Sequence, residues 1–217
     1  MTTSQDSVHP REAILDAAMQ LFGKRGYNGT TMRDIANAVS MLPGSLYAHI
    51  DGKETLLVEL VESGIERFLA IEQMLGSLDG SPLFRMRAAI KAHLAVVAEN
   101  PGRALVVFHQ WRFLSEPNLP RALEKRGRYQ RIFTTLVEDG VESGDFSGKL
   151  DVRIAAFSIL GALNWTAEWY SPEGPDSVDE LGEKIADTLL SGLVYSGRDV
   201  EIVDGRPAAK TRAGKKS

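Results

Sequence analysis

One stretch near the N-terminus constrains the fold more than any other part of the chain. It runs from Thr30 to Glu54 and reads TTMRDIANAVSMLPGSLYAHIDGKE. Thr31 can cap a helix, and Asp34 three residues later completes a capping-box pattern. Pro43 suits the first turn of a second helix, because its missing N–H would have no partner there. The pattern therefore predicts two short helices joined by a tight turn and followed at once by the start of a third.

The second of these helices, from Pro43 to about His49, has an outer face of mostly small residues. Its spacing points Leu46 and Ile50 towards the interior. The residues left outside are Gly44, Ser45, Tyr47 and Ala48. Such a helix can lie close to another surface, and helix-turn-helix proteins place one in the major groove of DNA. We therefore expect a helix-turn-helix DNA-binding domain.

Helical periodicity dominates the rest of the sequence, and no run of residues favours a strand. The expected fold class is all-α. The expected helices cover residues 10–24, 31–39, 43–49, 51–75, 83–99, 102–114, 118–143, 151–170 and 177–195. Asp51 and Glu54 form a second capping-box pattern, which is expected to open the long helix that ends near Leu75.

The chain is expected to divide into three parts. Residues 1–53 form the three-helix DNA-binding domain, and residues 54–200 form a helical ligand-binding and dimerisation domain. Residues 201–217 end in GRPAAKTRAGKKS, which is basic and almost without apolar side chains. That composition predicts a disordered tail.

Composition argues against several classes of protein. The chain has no Cys, and its four His show no metal-ligand spacing, so we expect neither disulfides nor a metal site. The first ten residues lack the apolar run of a signal peptide, and no segment is apolar enough to span a bilayer. A cytoplasmic protein without a membrane partner is expected. No nucleophile elbow, phosphate loop or catalytic carboxylate pair is recognisable, so neither an enzyme nor a cofactor is expected.

Charge gives the DNA hypothesis little support by itself. The net charge is −4, and the first 53 residues carry five Lys and Arg against five Asp and Glu. Affinity for DNA would therefore depend on where these few cations lie.

The last two long helices predict a homodimer. The 151–170 helix is apolar nearly all round, which requires burial on several sides. The 177–195 helix repeats an apolar residue at every fourth position. The members of this stripe are Leu181, Ile185, Leu189 and Leu193. Together the two helices favour a four-helix bundle shared between two subunits.

The stretch from Pro10 to Leu60 resembles the TetR family of bacterial repressors. The string TMRDIANAV…GSLYAHIDGKETLL is similar to the family pattern, including the Leu-Tyr pair and the Lys-Glu that opens the long helix. Two positions depart from it: Ser40 stands where glycine is usual, and Leu42 where serine commonly caps the recognition helix. The resemblance implies phosphate contacts from the second helix and the start of the fourth, and base contacts from the third.

Eight residues are the candidate DNA contacts: Thr31, Arg33, Pro43, Gly44, Ser45, Tyr47, His49 and Lys53. A hydroxyl and a cation at a helix start suit phosphate. Ser45 can bond a base edge or a phosphate, and Pro43 can touch a thymine methyl. Tyr47, His49 and Lys53 are interpreted as clamps on the DNA backbone. The alternative is that the eight form the ordinary surface of a three-helix bundle.

Residues 161–175, GALNWTAEWYSPEGP, resemble a subgroup of the family that regulates fatty-acid and steroid catabolism and senses acyl-CoA thioesters. Glu168 and Ser171 stand where that subgroup often has arginine. The candidate ligand contacts are Phe108, Trp111, Tyr129, Phe133, Asn164, Trp165, Trp169 and Tyr170. Plain core packing of these aromatic residues is the alternative. Arg112, Arg153 and the Arg121-Lys125-Arg128 face are candidate cations for the phosphates of such a ligand; the alternative for that face is an ordinary solvated surface.

These patterns together predict a ligand-responsive repressor. As a homodimer it would bind a palindromic operator in double-stranded DNA and be released by a small hydrophobic effector, with an acyl-CoA thioester as the first candidate. The alternatives are a helical ligand-binding module without DNA activity and a helical enzyme.

Overall fold

The computed structural model describes residues 10–194 and the backbone of two short antiparallel strands, β1 (Ile202–Val203) and β2 (Arg206–Pro207). Apart from those four residues, the tail predicted over 201–217 lies outside the described residues. The helices are α1 (Pro10–Arg25), α2 (Met32–Ala38), α3 (Pro43–Leu46), α4 (Lys53–Gly76), α5 (Pro82–Glu99), α6 (Pro101–Leu105), α7 (Asn118–Ser143), α8 (Val152–Trp169) and α9 (Val178–Ser191). The predicted helical fold class is confirmed, and most predicted helix ends lie within one or two residues of the observed ones.

The predicted recognition helix is shorter than expected. Only Pro43–Leu46 is regular α-helix, because the N–H groups of Ala48 and His49 bond to carbonyls three residues back rather than four. The chain therefore tightens into a turn after Leu46. Ile50 still reaches the core.

The capping box predicted at Asp51 and Glu54 is wrong. α4 begins at Lys53 behind Gly52, which makes no side-chain cap. Glu54 is thus the second residue of the helix, whereas a capping box needs the acid at the third. Its carboxylate instead accepts hydrogen bonds from the backbone N–H and the hydroxyl of Ser115, at 2.8 and 2.6 Å.

The segment predicted as a helix over 102–114 is irregular. After α6 the backbone passes through a π-helical turn, Val106–Gln110, and a 3₁₀ turn, Trp111–Phe113. We call Val106–Phe113 the connecting segment. Its side chains pack in both hydrophobic cores of the molecule, so the segment connects the two cores.

Two hydrophobic cores share the long helix α4. The first core joins α1, α2 and α3 to the part of α4 from Leu56 to Val61. The second begins at Ile65 and takes in α5, α7, α8 and α9. The first core also includes Val106 and Leu114, so the N-terminal helices pack on the C-terminal half as well as on α4.

Candidate DNA-binding surface and effector cavity

The start of α2 carries the capping box that the sequence predicts. The Thr31 hydroxyl accepts from the Asp34 N–H at 3.1 Å, and the Asp34 carboxylate accepts from the Thr31 N–H at 2.8 Å. The Thr31 hydroxyl also donates to the Asp34 carboxylate at 2.5 Å, and this bond, followed by that from the Thr31 N–H, lowers the pKa of Asp34. The helix start is therefore partly satisfied from within the chain. Arg33 projects beside it, exposed and without an acidic partner among the described residues.

The outer face of α3 is open. Leu46 and Ile50 anchor this region in the first core. The candidate contacts Pro43, Gly44, Ser45, Tyr47 and His49 are all exposed. Five of the eight candidate DNA residues thus form one uncovered surface on α3 and the turn after it.

Leu42 is a surface residue that the sequence analysis noted only as a departure from the family pattern and did not include among the eight candidate DNA contacts. It is 76% exposed and makes no side-chain cap at the start of α3. An apolar side chain held in the open directly before a recognition helix can contact a thymine methyl. The sequence could have indicated this exposure, because an apolar residue such as Leu42 at a capping position cannot cap the helix through its side chain.

Lys53 has structural partners that its predicted role did not include. Its ammonium donates to the carbonyls of Tyr27 and Thr30, at 3.0 and 2.9 Å, and lies 4.1 Å from the centre of the Tyr27 ring. Two of its three donors are therefore used inside the domain. A phosphate contact would have to use the remaining one.

A cavity of about 430 Å³ lies between α4, the connecting segment, α7 and α8. Four predicted ligand residues lie in its wall: Phe108, Trp111, Tyr129 and Asn164. Most of the remaining wall is apolar. Those residues include Ile65, Phe68, Val107, Leu123, Phe157 and Leu160. Sites for small molecules commonly have this size and an apolar wall with few polar groups.

The other four predicted ligand residues are not in the cavity wall. Phe133 is fully buried behind Tyr129, with ring centres 5.5 Å apart. Trp165 and Trp169 are 61% and 49% exposed on the outer side of α8, and Tyr170 is half-buried beyond its end. These positions follow from the orientation of α8, which turns Leu160 and Asn164 towards the cavity and the two tryptophans outward.

A buried polar pair joins Tyr129 of the cavity wall to His93 behind it. His93 is fully buried, and its Nδ1 lies 2.7 Å from the Tyr129 hydroxyl. The His93 ring stacks on Phe108, with centres 5.7 Å apart. Burial lowers the pKa of His93 to about 3 and raises that of Tyr129, so both are neutral at physiological pH. The Asn164 Oδ1 is buried and has no hydrogen-bond partner among the described residues.

Arg126 is the cavity residue that sequence reasoning missed. It donates to the Val107 carbonyl at 3.1 Å, and its guanidinium carbon lies 4.7 Å from the centre of the Trp111 ring. The available signal was its spacing, because Arg126 precedes Tyr129 by three residues and so shares its helical face.

The basic face proposed for ligand phosphates is already paired. Arg121 bonds Glu62 at 3.0 Å, Lys125 bonds Glu66 at 2.7 Å, and Arg128 bonds Glu72 at 2.6 Å. These contacts join α7 to α4 at the surface. Glu168, which stands where arginine is frequent in the subgroup, lies 3.2 Å from His109.

The outer side of α8 carries an apolar stripe that is open in the single chain. Its exposed members are Ile154, Trp165 and Trp169, and Phe157 lies at its border with the cavity. The predicted stripe of α9 mainly faces its own subunit: Leu193 is buried, Ile185 and Leu189 pack on the second core, and Leu181 is half-buried. The exposed stripe of α8 is therefore a better candidate for the dimer surface than the stripe of α9. Within residues 10–194, no helix is long and apolar enough to cross a membrane.

Comparison with known proteins decides the family. Residues 14–60 match the model described as bacterial regulatory proteins of the tetR family, and residues 79–193 match the tetracyclin repressor-like C-terminal domain. The chain belongs to the TetR family. The sequence-based assignment is thereby confirmed over both halves of the molecule.

Relatives within the TetR family include known repressors. The HTH-type transcriptional repressor KstR2 of Rhodococcus jostii is 31% identical over 193 residues, which cover 84% of this chain and 90% of that protein. The structure of AibR in complex with isovaleryl coenzyme A and operator DNA has a TM-score of 0.72 at 26% identity, covering 85% of this chain and 97% of AibR. The ketosteroid transcriptional regulator KstR2 of Mycobacterium tuberculosis shares the fold, with a TM-score of 0.80 at 24% identity, over 87% of this chain and 96% of that chain.

Proposed function

We propose that this TetR-family chain is a transcriptional repressor that binds a palindromic operator as a homodimer and leaves it when an apolar effector fills the cavity. The observation that carries the proposal is the uncovered face of α3, anchored from below by Leu46 and Ile50. Each subunit offers one such face, so a twofold dimer would read two half-sites. The protein would act in the cytoplasm, as a regulator and not as an enzyme.

The division of labour between the two halves is part of this proposal. Residues 1–53 would bind DNA, and residues 54–200 would bind the effector and the second subunit. The presence of two cores supports a division into two parts, although the cores separate within α4 between Val61 and Ile65 and not at residue 53.

DNA binding is tested by selecting duplexes from a random library and titrating variants against the selected and a scrambled sequence. Tyr47→Ala and Arg33→Ala should weaken binding to both duplexes, because phosphate contacts carry no sequence information. Ser45→Ala should relax preference at one base position. Arg153→Ala, an exposed arginine at the start of α8, is the charge-matched control and should leave affinity unchanged. Wild-type protein that selects no sequence would contradict the repressor function.

Dimerisation is tested on the α8 stripe. Trp165→Glu should yield a monomer, because a dimer would bury an unpaired charge. Phe84→Glu is the control, since Phe84 is an aromatic residue of α5 with 50% exposure. Sedimentation should show a monomer for the first variant and a dimer for the second. A folded Trp165→Glu variant that remains dimeric would place the interface elsewhere.

For the effector, an acyl-CoA thioester is the first candidate and a free hydrophobic acid or steroid-like compound the second. The resemblance of residues 161–175 and the isovaleryl coenzyme A bound to AibR support the thioester. The apolar wall suits the acyl group, while a cavity of about 430 Å³ leaves the nucleotide outside. Calorimetry with an acyl-CoA and its free acid at two salt concentrations separates the candidates, because ionic contacts at the surface weaken with salt. Operator release by the free acid alone would exclude the thioester.

A further inference from the structure

Two arginines lie over the same indole ring at the boundary between cavity and solvent. The guanidinium carbon of Arg126 is 4.7 Å from the centre of the Trp111 ring, and that of Arg112 is 5.8 Å away. Trp111 and Arg126 are half-buried and line the cavity, whereas Arg112 is exposed. The ring holds both cations in place through cation–π contacts.

Neither guanidinium is paired with a carboxylate from residues 10–194. This distinguishes them from their neighbours on α7, since Arg121, Lys125 and Arg128 each bond a glutamate of α4. Burial, and then the nearby charge of Arg112, lower the pKa of Arg126. Two like charges beside an apolar wall, without an anion, leave a strong positive potential there.

The donors of Arg126 are only partly used. One of its five N–H groups bonds the Val107 carbonyl at 3.1 Å. The others remain for an oxyanion, which a guanidinium can bind through two parallel hydrogen bonds. The unpartnered amide oxygen of Asn164 belongs to the same wall, but it accepts hydrogen bonds and so can pair only with a donor group of the ligand, not with its oxyanion. Behind these groups the wall is formed by apolar side chains such as Phe68 and Leu160.

We propose that Arg126 and Arg112, held on Trp111, form an anion-binding site for the charged group of an effector whose apolar part fills the cavity. The inference rests on the proposed function, because it assigns a ligand chemistry to the same cavity. The ligand is an amphipathic oxyanion. Its charge is either the carboxylate of a free acid or a phosphate of a coenzyme A thioester.

Two fluorescent dyes that differ by one charge test the site. 8-Anilinonaphthalene-1-sulfonate carries a sulfonate, and N-phenyl-1-naphthylamine is its uncharged counterpart. A charge-assisted hydrogen bond favours the anion by about tenfold to a hundredfold. The full-length wild-type protein should therefore bind the sulfonate at least about tenfold more tightly than the neutral dye.

The variants assign this preference to residues. Arg126→Gln should abolish it and Arg112→Gln should reduce it, because each variant should lose more affinity for the sulfonate than for the neutral dye. Arg121→Gln removes the same charge from the same helix at a paired position, and should retain the preference. Arg112 is exposed, so its variant reports on the site even if Arg126→Gln lowers stability. Displacement of the sulfonate by decanoate and by decanoyl-CoA then shows whether a carboxylate or a nucleotide phosphate occupies the site.

Equal affinity of the wild type for both dyes would overturn the anion site and leave the repressor function standing. A preference that survives in both Arg126→Gln and Arg112→Gln would also overturn it. If the preference behaves as expected but no operator is bound or released, the proposed function fails and the anion site stands. If neither dye binds, the cavity is not an accessible site, and the inference fails with it.

Discussion

Gly64 lies on α4 directly against Val107 of the connecting segment, so a single methyl group there tests how closely the two elements pack beside the cavity. A Cβ added at Gly64 would lie 2.3 Å from the Val107 Cγ2. Favourable carbon–carbon contacts are about 3.5–4.0 Å, so one side must move by more than 1 Å. Val107 is β-branched within a helical turn and cannot simply rotate away.

The expected magnitude of Gly64→Ala follows from two opposed effects. Replacing glycine inside a helix contributes about 0.5–1 kcal/mol, because Ala loses less backbone entropy on folding. Overpacking a buried contact costs about 1–3 kcal/mol. We expect a net loss of about 0.5–2 kcal/mol in the free energy of unfolding. Since Val107 lines the cavity, affinity for the neutral dye should fall as well.

Urea denaturation of four proteins measures this contact: wild type, Gly64→Ala, Val107→Ala and the double variant. The double variant should be more stable than the sum of the single effects predicts, by about 0.5–3 kcal/mol, because the new methyl occupies space that Val107 vacates. Gly76→Ala is the matched control on α4, since nothing lies within 4 Å of its added Cβ. It should be neutral or stabilising. If the effects of Gly64→Ala and Val107→Ala on the free energy of unfolding simply add in the double variant, or if Gly64→Ala is more stable than the wild type, the close contact is refuted.

Three further predictions concern single residues. Ser40 has φ 55°, in the left-handed region that favours glycine, so Ser40→Gly should raise the free energy of unfolding by about 0.5–1 kcal/mol. Thermal denaturation measures this change, and a loss of stability would show that the serine side chain stabilises the turn. Lys53→Met should lower the free energy of unfolding by about 1–2 kcal/mol, because the carbonyls of Tyr27 and Thr30 lose their donor. Unchanged stability would mean that the main role of Lys53 is to contact DNA. The pKa of His93 falls from 6.5 to about 3 on folding, so stability is complete above pH 6.5 and declines as pH falls towards 3. The decline is at most about 1.4 kcal/mol per pH unit, and His93→Gln should flatten it between pH 6.5 and 5; equal slopes would contradict a buried, neutral imidazole.

Features encoded within a few residues were predicted well. The Thr31–Asp34 capping box and the proline at the start of α3 were both expected, because the atoms involved are at most four residues apart. The inward positions of Leu46 and Ile50 follow from helical spacing alone. Local patterns of this kind specify geometry without tertiary contacts.

The errors share a different cause, because they depend on partners far away in the sequence. Glu54 was expected to cap its own helix, yet it bonds Ser115 across a separation of 61 residues. Trp165 and Trp169 were predicted as ligand contacts from the aromatic residues of the 161–175 segment, but they lie outside the cavity wall; because α8 is apolar nearly all round, periodicity could not tell which side faces inward. Arg126 was overlooked because the three basic residues around it on α7 pointed to a solvated face.

The connecting segment also has features that no local pattern predicts, and they suggest how the cavity acts on the DNA-binding helices. Its residues Phe108 and Trp111 line the cavity. Gln110, which lies between these two residues in the sequence, accepts a hydrogen bond from the Tyr27 N–H at 2.8 Å. Phe113, two residues after Trp111, stacks on the Tyr27 ring with ring centres 5.7 Å apart. An anion that draws Arg126 away from the Val107 carbonyl would therefore disturb the turn that holds Gln110.

The energy available through these contacts can be bounded. A hydrogen bond such as that from Tyr27 to Gln110 contributes about 0.5–1.5 kcal/mol, and the two that Ser115 donates to Glu54 contribute a similar amount each at this exposed site. Couplings between allosteric sites are typically about 1–3 kcal/mol. The loss of only some of these hydrogen bonds would thus suffice for a coupling free energy of about 1–3 kcal/mol between effector binding and operator binding. Losing these particular contacts requires no large rearrangement of the second core, because they lie within Gln110–Ser115.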